Sequence, residues 1–173
     1  MFTQTKWIDR KFEFNYPVGV FPCLLTRLRG TPDRLEAIAA RLAPEFLTRP
    51  VELGWTIQEN MGHLTDAEAL FIGRLEDFRQ GLGTLRPAKL DGKRTAAANH
   101  NARDIKDVLK DFRKVRMDFV KELETLDEDT VAHSALHPRL NKQMRLIDMV
   151  YFMAEHDDFH ITRIYELIEE FKG

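Results

Sequence analysis

The chain has 173 residues, enough to bury a core without disulfide or metal staples, and its 43% hydrophobic and 31% charged residues are those of an ordinary globular domain. With 26 basic against 28 acidic residues the net charge is -2, which excludes the positive field that neutralises a phosphate backbone and argues against a nucleic-acid partner. The single cysteine, Cys23, excludes an intrachain disulfide or a Cys-based structural zinc site, and no apolar run approaches the ~20 residues of a membrane span.

The first ten residues break their few apolar side chains with charges and lack the apolar centre of a secretory signal, so the expected location is the cytoplasm. Residues 1–20 carry Phe2, Trp7, Phe12, Phe14 and Tyr16 without sustained periodicity and are expected to form an arm lying over a single domain of residues 1–173. Residues 21–29 read as a short helix that Gly30 interrupts. Thr31 and Pro32 then make a start signal for a new helix running to about Leu42. After Pro44, Pro50 and Gly54, the sequence Thr56-Ile57-Gln58-Glu59 matches a capping box. The helix it opens keeps Ile57, Met61, Leu64, Ala67, Phe71, Leu75 and Phe78 at three/four spacing until about Arg79. Residues 80–103 are polar and irregular, longer than most connections inside a compact domain and therefore either functional or mobile. A third long helix opens at residues 101–104, with a near-heptad seam at Ile105, Val108, Phe112, Val115, Phe119, Leu123 and Leu126. A second polar loop, 127–142, precedes a closing helix over 143–171. Strand-like alternation is absent, and the expected fold is an all-α bundle of about residues 21–171.

The closing helix places Leu146, Met149, Met153, His156, His160, Ile164 and Leu167 on one face, so two histidines stand where leucines are expected. Four apart, they stack about 6 Å from each other and can reach one ion. His63 lies at the edge of the inward arc of the second long helix, beside Gly62. Three imidazoles facing one point with a position left open is the usual form of a catalytic zinc site. A hydrogen-bonded core histidine is the competing explanation for each ring taken alone. The pair is not the H-E-x-x-H of zinc peptidases, because Asp157 stands where that motif has glutamate. Glu59 and Asp66 flank His63 on its side of the helix, within reach of orienting its ring, although capping explains Glu59 equally well. His100, His133 and His137 are expected to be exposed loop residues, His137 with the option of lining a pocket mouth. Asp157 and Asp158 read as a solvated helix face, with the alternative that one of them, Asp157 as the candidate, supports a ligand histidine.

Two segments carry a family resemblance. Gly54-Trp55-Thr56-Ile57-Gln58-Glu59-Asn60-Met61-Gly62-His63-Leu64-Thr65-Asp66-Ala67-Glu68 resembles the second-helix signature of the DinB/YfiT-like superfamily, a tryptophan, a helix cap and then G-H-L-x-D-x-E. Residues 137–164, with Glu155-His156-Asp157-Asp158-Phe159-His160, resemble its closing helix. The resemblance implies an up-down-down-up four-helix bundle holding a divalent ion, zinc or nickel, on three histidines, here His63, His156 and His160. It also implies homodimers, and either thiol-dependent S-transfer or metal-dependent hydrolysis of a small molecule. It does not imply DNA binding. Where relatives often carry H-H-x-x-Q, Phe159 replaces the first histidine and Arg163 the glutamine. Arg163 either alters the charge preference for substrate or pairs with a nearby acid.

The expected function is a cytoplasmic metal-dependent transferase or hydrolase acting on a small molecule, with a low-molecular-weight thiol as candidate co-substrate. The alternative is a non-catalytic metal- or ligand-binding helical module serving stress-related sensing or interaction.

Overall fold

A computed structural model describes residues 4–89 and 91–172; Phe2, counted above among the aromatics of the arm, lies outside them. Its elements are α1 (Phe21–Ala39), α2 (Pro44–Leu47), α3 (Ile57–Arg79), α4 (Lys93–Ala98), α5 (Ile105–Leu123), α6 (Glu128–Ala132), strands β1 (Ser134–His137) and β2 (Lys142–Arg145), and α7 (Leu146–Lys172). Four helices, α1, α3, α5 and α7, form the bundle.

Cross-helix pairs give the directions. Arg113 meets Glu36 while Arg116 meets the Leu28 carbonyl, so α1 and α5 run antiparallel. Glu68 pairs with Arg116 and Arg79 with Glu122, so α3 and α5 run parallel. Arg27 bonds Glu155 while Arg34 bonds Asp158, which makes α1 and α7 parallel. The resulting order is up-down-down-up, with α1 diagonal to α3. A parallel α3–α5 pair obliges the chain to travel back along a helix of about 35 Å, which is why the connection over 80–103 is long. It is not irregular throughout: it folds α4 and a 3₁₀ turn at His100–Ala102 across the start of α3, where Gln58 Nε2 donates to the carbonyls of His100 and Arg103 at 2.6 and 2.8 Å.

The capping box at Thr56 and Glu59 forms as the sequence predicts, with both reciprocal bonds made, and α3 ends at Arg79. Two expectations are corrected. First, α1 is continuous through Gly30 and Pro32. Proline removes the N–H that would bond the carbonyl four residues back, but Arg116 Nη1 donates to that carbonyl of Leu28 at 3.3 Å, so tertiary contact replaces the lost bond. Second, residues 134–145 form an antiparallel hairpin, with Ala135 opposite Met144 and His137 opposite Lys142. The alternation there is too short to register as a strand signal, and the closing helix accordingly starts at Leu146.

The apolar seams divide into two clusters. One gathers Leu28, Phe71, Leu75, Phe119, Leu123, Met149 and Met153, and the other Leu35, Ile57, Met61, Leu64, Phe112, Ile161 and Ile164. Between them each bundle helix contributes one buried polar residue at the same level: Thr31, Glu68, Arg116 and Asp157. Arg116 donates to Glu68 Oε1 at 2.7 Å and to Asp157 Oδ1 at 3.0 Å, and Thr31 Oγ1 donates to Asp157 Oδ2 at 2.8 Å. Asp157 is therefore a core anion, 1% exposed, rather than part of a solvated face. Burial pushes the Glu68 carboxyl up to about 7, against Arg116 and with Asp157 as a second negative charge. In the arm, Trp7 meets Phe12 and Phe152 edge-on, with centroids 5.2 and 4.8 Å away. No described helix is long and apolar enough to cross a membrane.

Candidate metal centre

His156 and His160 project from one face of α7, and His63 projects from the facing side of α3. One ring nitrogen of each lies within 4.8 Å of the other two, and among the described residues no further His, Cys, Asp or Glu is grouped with them. His160 Nε2 and His156 Nε2 are 3.2 Å apart, close to the roughly 3.4 Å edge of a tetrahedron built on metal–nitrogen bonds of about 2.1 Å. Asn60 Oδ1 sits 2.9 Å from His160 Nδ1. The amide oxygen only accepts, so the proton is assigned to Nδ1 and the Nε2 lone pair faces the shared point. Thr95 Oγ1 lies 2.9 Å from His63 Nδ1 and positions that ring, since a hydroxyl can either donate to or accept from the nitrogen.

All three rings favour the neutral form. Burial lowers His63 to about 3, with His156 adding to the effect, and burial with Arg116 lowers His156 to about 3. Burial and the other two rings push His160 well below its ordinary value. Three neutral imidazoles, two with their Nδ1 atoms engaged elsewhere, are a donor set that fits a divalent cation. His156 Nδ1 is buried and has no hydrogen-bond partner among the described residues, while its Nε2 is the nitrogen facing His160.

Aromatic rings wall the site. Trp55 lies 4.3 Å from His63 and 5.9 Å from His160 between centroids, Trp7 lies 5.0 Å from His156, and Phe159 meets His160 edge-on. A cleft of about 950 Å³ opens onto the three histidines and is roofed by α4 and the arm.

The other candidates are distributed differently. Glu59 caps the Thr56 amide at 2.9 Å and is taken up there. Asp66 bonds His100 Nε2 at 2.9 Å rather than orienting His63. His100, expected to be exposed, is 3% exposed and is clamped over the Gly62 backbone. His137 is buried and lines the cleft, whereas His133 is exposed as expected. Asp157 is bound by Arg116, and Arg163 pairs with Glu166 and Glu170 away from the cleft lining. Thr95, Asn60 and Arg116 were missed because their partners lie 32, 100 and 41 residues away.

Gly62 is where helix and roof touch. A Cβ built there falls 2.3 Å from Cγ and 2.4 Å from Nδ1 of His100. Helix propensity alone favours alanine by about 1 kcal/mol, but overpacking costs typically about 1–3 kcal/mol. The net cost is up to about 2 kcal/mol, so Gly62→Ala is expected to lower Tm by up to about 8 °C and to loosen Thr95 from His63; a raised Tm in a thermal melt contradicts this.

The family model of the DinB superfamily matches residues 27–164. Among solved structures, the chain is similar to YfiT from Bacillus subtilis, described as a probable metal-dependent hydrolase with an unusual four-helix bundle topology. The TM-score is 0.74 at 18% identity, covering 94% of each chain. It is also similar to a mycothiol-dependent maleylpyruvate isomerase, with a TM-score of 0.65 at 11% identity, covering 84% of this chain and 59% of that one. At such identities the likeness shows the fold. No curated protein sequence matches the chain.

Proposed function

Because the chain belongs to the DinB superfamily, we propose that it is a metal-dependent enzyme in which His63, His156 and His160 hold a divalent cation, zinc or nickel, and a small molecule reacts in the adjoining cleft. The observation that carries this reading is the convergence of three neutral imidazole nitrogens within 4.8 Å, with no fourth protein ligand grouped with them among the described residues. A structural zinc site is normally closed by a fourth protein ligand, so the open arrangement supports an enzyme over a non-catalytic module. A bound divalent cation supplies a positive charge that acidifies a coordinated water or thiol near neutral pH.

The chain's own residues do the rest. Asn60 and Thr95 fix the rings of His160 and His63. Trp7, Trp55 and Phe159 exclude bulk water from the rings, which strengthens electrostatic interactions at that point. The cleft carboxylates Asp66 and Asp91 are engaged by His100 and Lys93, leaving neither poised as a free base beside the histidines. This favours chemistry in which the nucleophile is a water or a thiol activated by coordination, consistent with hydrolysis or thiol-dependent S-transfer. One structural neighbour is a probable metal-dependent hydrolase and another a mycothiol-dependent isomerase, which supports a metal-dependent enzyme acting on a small molecule.

The test is elemental analysis of the purified protein beside His156→Ala, followed by turnover of small thiols with an electrophile and of ester and amide substrates. About one divalent ion per wild-type chain, lost in the variant, is expected. Equal metal content in both overturns the metal site; full loading without turnover of any of these substrates overturns the catalytic reading.

A further inference from the structure

The cleft continues away from the histidines to a second group of polar side chains that the metal reading does not use. Arg74 stands on α3 eleven residues beyond His63, about 16 Å along the helix axis. It is 1% exposed and lines the cleft. Its Nε donates to the Arg86 carbonyl at 3.2 Å, but its Nη2 is buried with no hydrogen-bond partner among the described residues. Arg139, on the β1–β2 turn, lines the same cleft. Its Nη1 reaches the Ile8 carbonyl at 3.3 Å, and its Nη2 is likewise buried and unpartnered among the described residues. His137, at the end of β1, accepts the Leu140 amide on Nδ1 at 3.2 Å. That assigns its proton to Nε2, which makes this nitrogen a donor on a residue lining the same wall.

The local charge does not balance. Asp77 is the nearby anion, and Arg86 occupies it through its backbone amide, Nε and Nη2 at 2.8, 3.0 and 2.6 Å. Arg86 is held there by packing over Gly73, where any Cβ would strike its guanidinium. Three guanidinium groups thus face one carboxylate, and two of the three keep an unused donor. Burial lowers Arg74 to about 10, with Asp77 opposing and Arg139 and Arg86 adding, and His137 is lowered to about 4 by burial and by the same two neighbours, Arg74 and Arg139. An unmade hydrogen bond from a buried cation is costly, and every group in this cluster donates. The complement of such a cluster is an oxyanion.

We propose that Arg74, Arg139 and His137 form an oxyanion subsite, and that the molecule transformed in this cleft is a small organic acid whose carboxylate or phosphate they hold while its body lies against Phe71 and Phe152. The assignment of this molecule as substrate rests on the reading of the cleft as a metal-dependent active site; the subsite itself does not.

The experiment uses the full chain, as purified and after chelator treatment, with helicity checked by circular dichroism. Binding of benzoate, phenyl phosphate and the neutral benzamide is followed by calorimetry and by the fluorescence of Trp7 and Trp55, which line the cleft. In the metal-stripped protein at least one of the two anions is expected to bind tenfold or more tightly than benzamide, and the stronger identifies the head group. Arg139→Gln, at a partly exposed hairpin position, brings that ratio close to one; each of Arg139→Gln and Arg74→Gln is compared where its melt shows it folded. Equal binding of anions and benzamide, or an unchanged ratio in Arg139→Gln, overturns the subsite. Anion binding seen only with metal present also overturns it, since the anion then sits at the histidines, yet leaves the metal site standing. Anion binding in a protein that takes up no metal supports the subsite and sinks the metal reading alone.

Discussion

Arg116→Ala is expected to destabilise the folded chain by about 3–5 kcal/mol, the cost of leaving buried partner charges unpaired, with Tm falling by roughly 10 °C. Arg116 is the single cation between Glu68 and Asp157, each 1% exposed, and it also bonds the Leu28 carbonyl that Pro32 frees. Burial opposes its charge, but Asp157 and Glu68 outweigh that and keep it protonated. Removing it strands the Asp157 carboxylate and the Leu28 carbonyl at once and leaves the Glu68 carboxyl without its partner. Glu68→Gln is expected to be mild, and its pH dependence provides a sharper check. The folded pKa of Glu68 is near 7 against an ordinary 4.5, so the folded state binds more protons than the unfolded state in that window. This group therefore costs stability as pH rises from 4.5 to 7. Glu68→Gln should gain on the wild type across that interval and run parallel to it above. Urea midpoints that diverge in the opposite sense, or a mild Arg116→Ala, contradict this account of the polar layer.

The second large effect concerns cation affinity and is graded. Losing an outer hydrogen-bond partner of a ligating histidine typically weakens binding about 10–100-fold, and losing the ligand itself costs more. His160→Ala is expected to reduce zinc affinity by more than ~100-fold. Thr95→Val keeps the shape of the side chain and removes the oxygen 2.9 Å from His63 Nδ1, so its loss should fall inside the 10–100-fold interval. Competition with a chromogenic chelator measures both. A Thr95→Val protein with wild-type affinity means that the His63–Thr95 contact does not orient a ligand; His160→Ala with undiminished affinity removes that residue from the metal site.

What could be read in the chain was what local pattern encodes. The capping box and the terminus of α3 follow from residues within a turn of each other, and the stripe of His156 and His160 follows from helical period. His63 was readable because Gly62 and the surrounding signature mark it, and the three rings meet in the folded chain. The contact of Trp7 with His156 was not legible, because the aromatics before the first helix follow no periodicity.

The sequence by itself determined where α3 and α5 lie and which face of each turns inward, because both depend on spacings of three and four residues and on end groups a few positions apart; the continuity of α1 through Pro32 was decided by tertiary contact. Only the tertiary structure decided the fate of the charged residues. Asp157 looked solvated beside Asp158, yet one turns into the core to meet Arg116 while the other pairs with Arg27 and Arg34 at the rim. Asp66 serves His100 instead of His63, and Thr95, reached through a 24-residue connection, holds His63. A charge is stable in the core only if it is paired, and for Asp157 the partner arrives from another helix, so no pattern within its own helix records which partner that is.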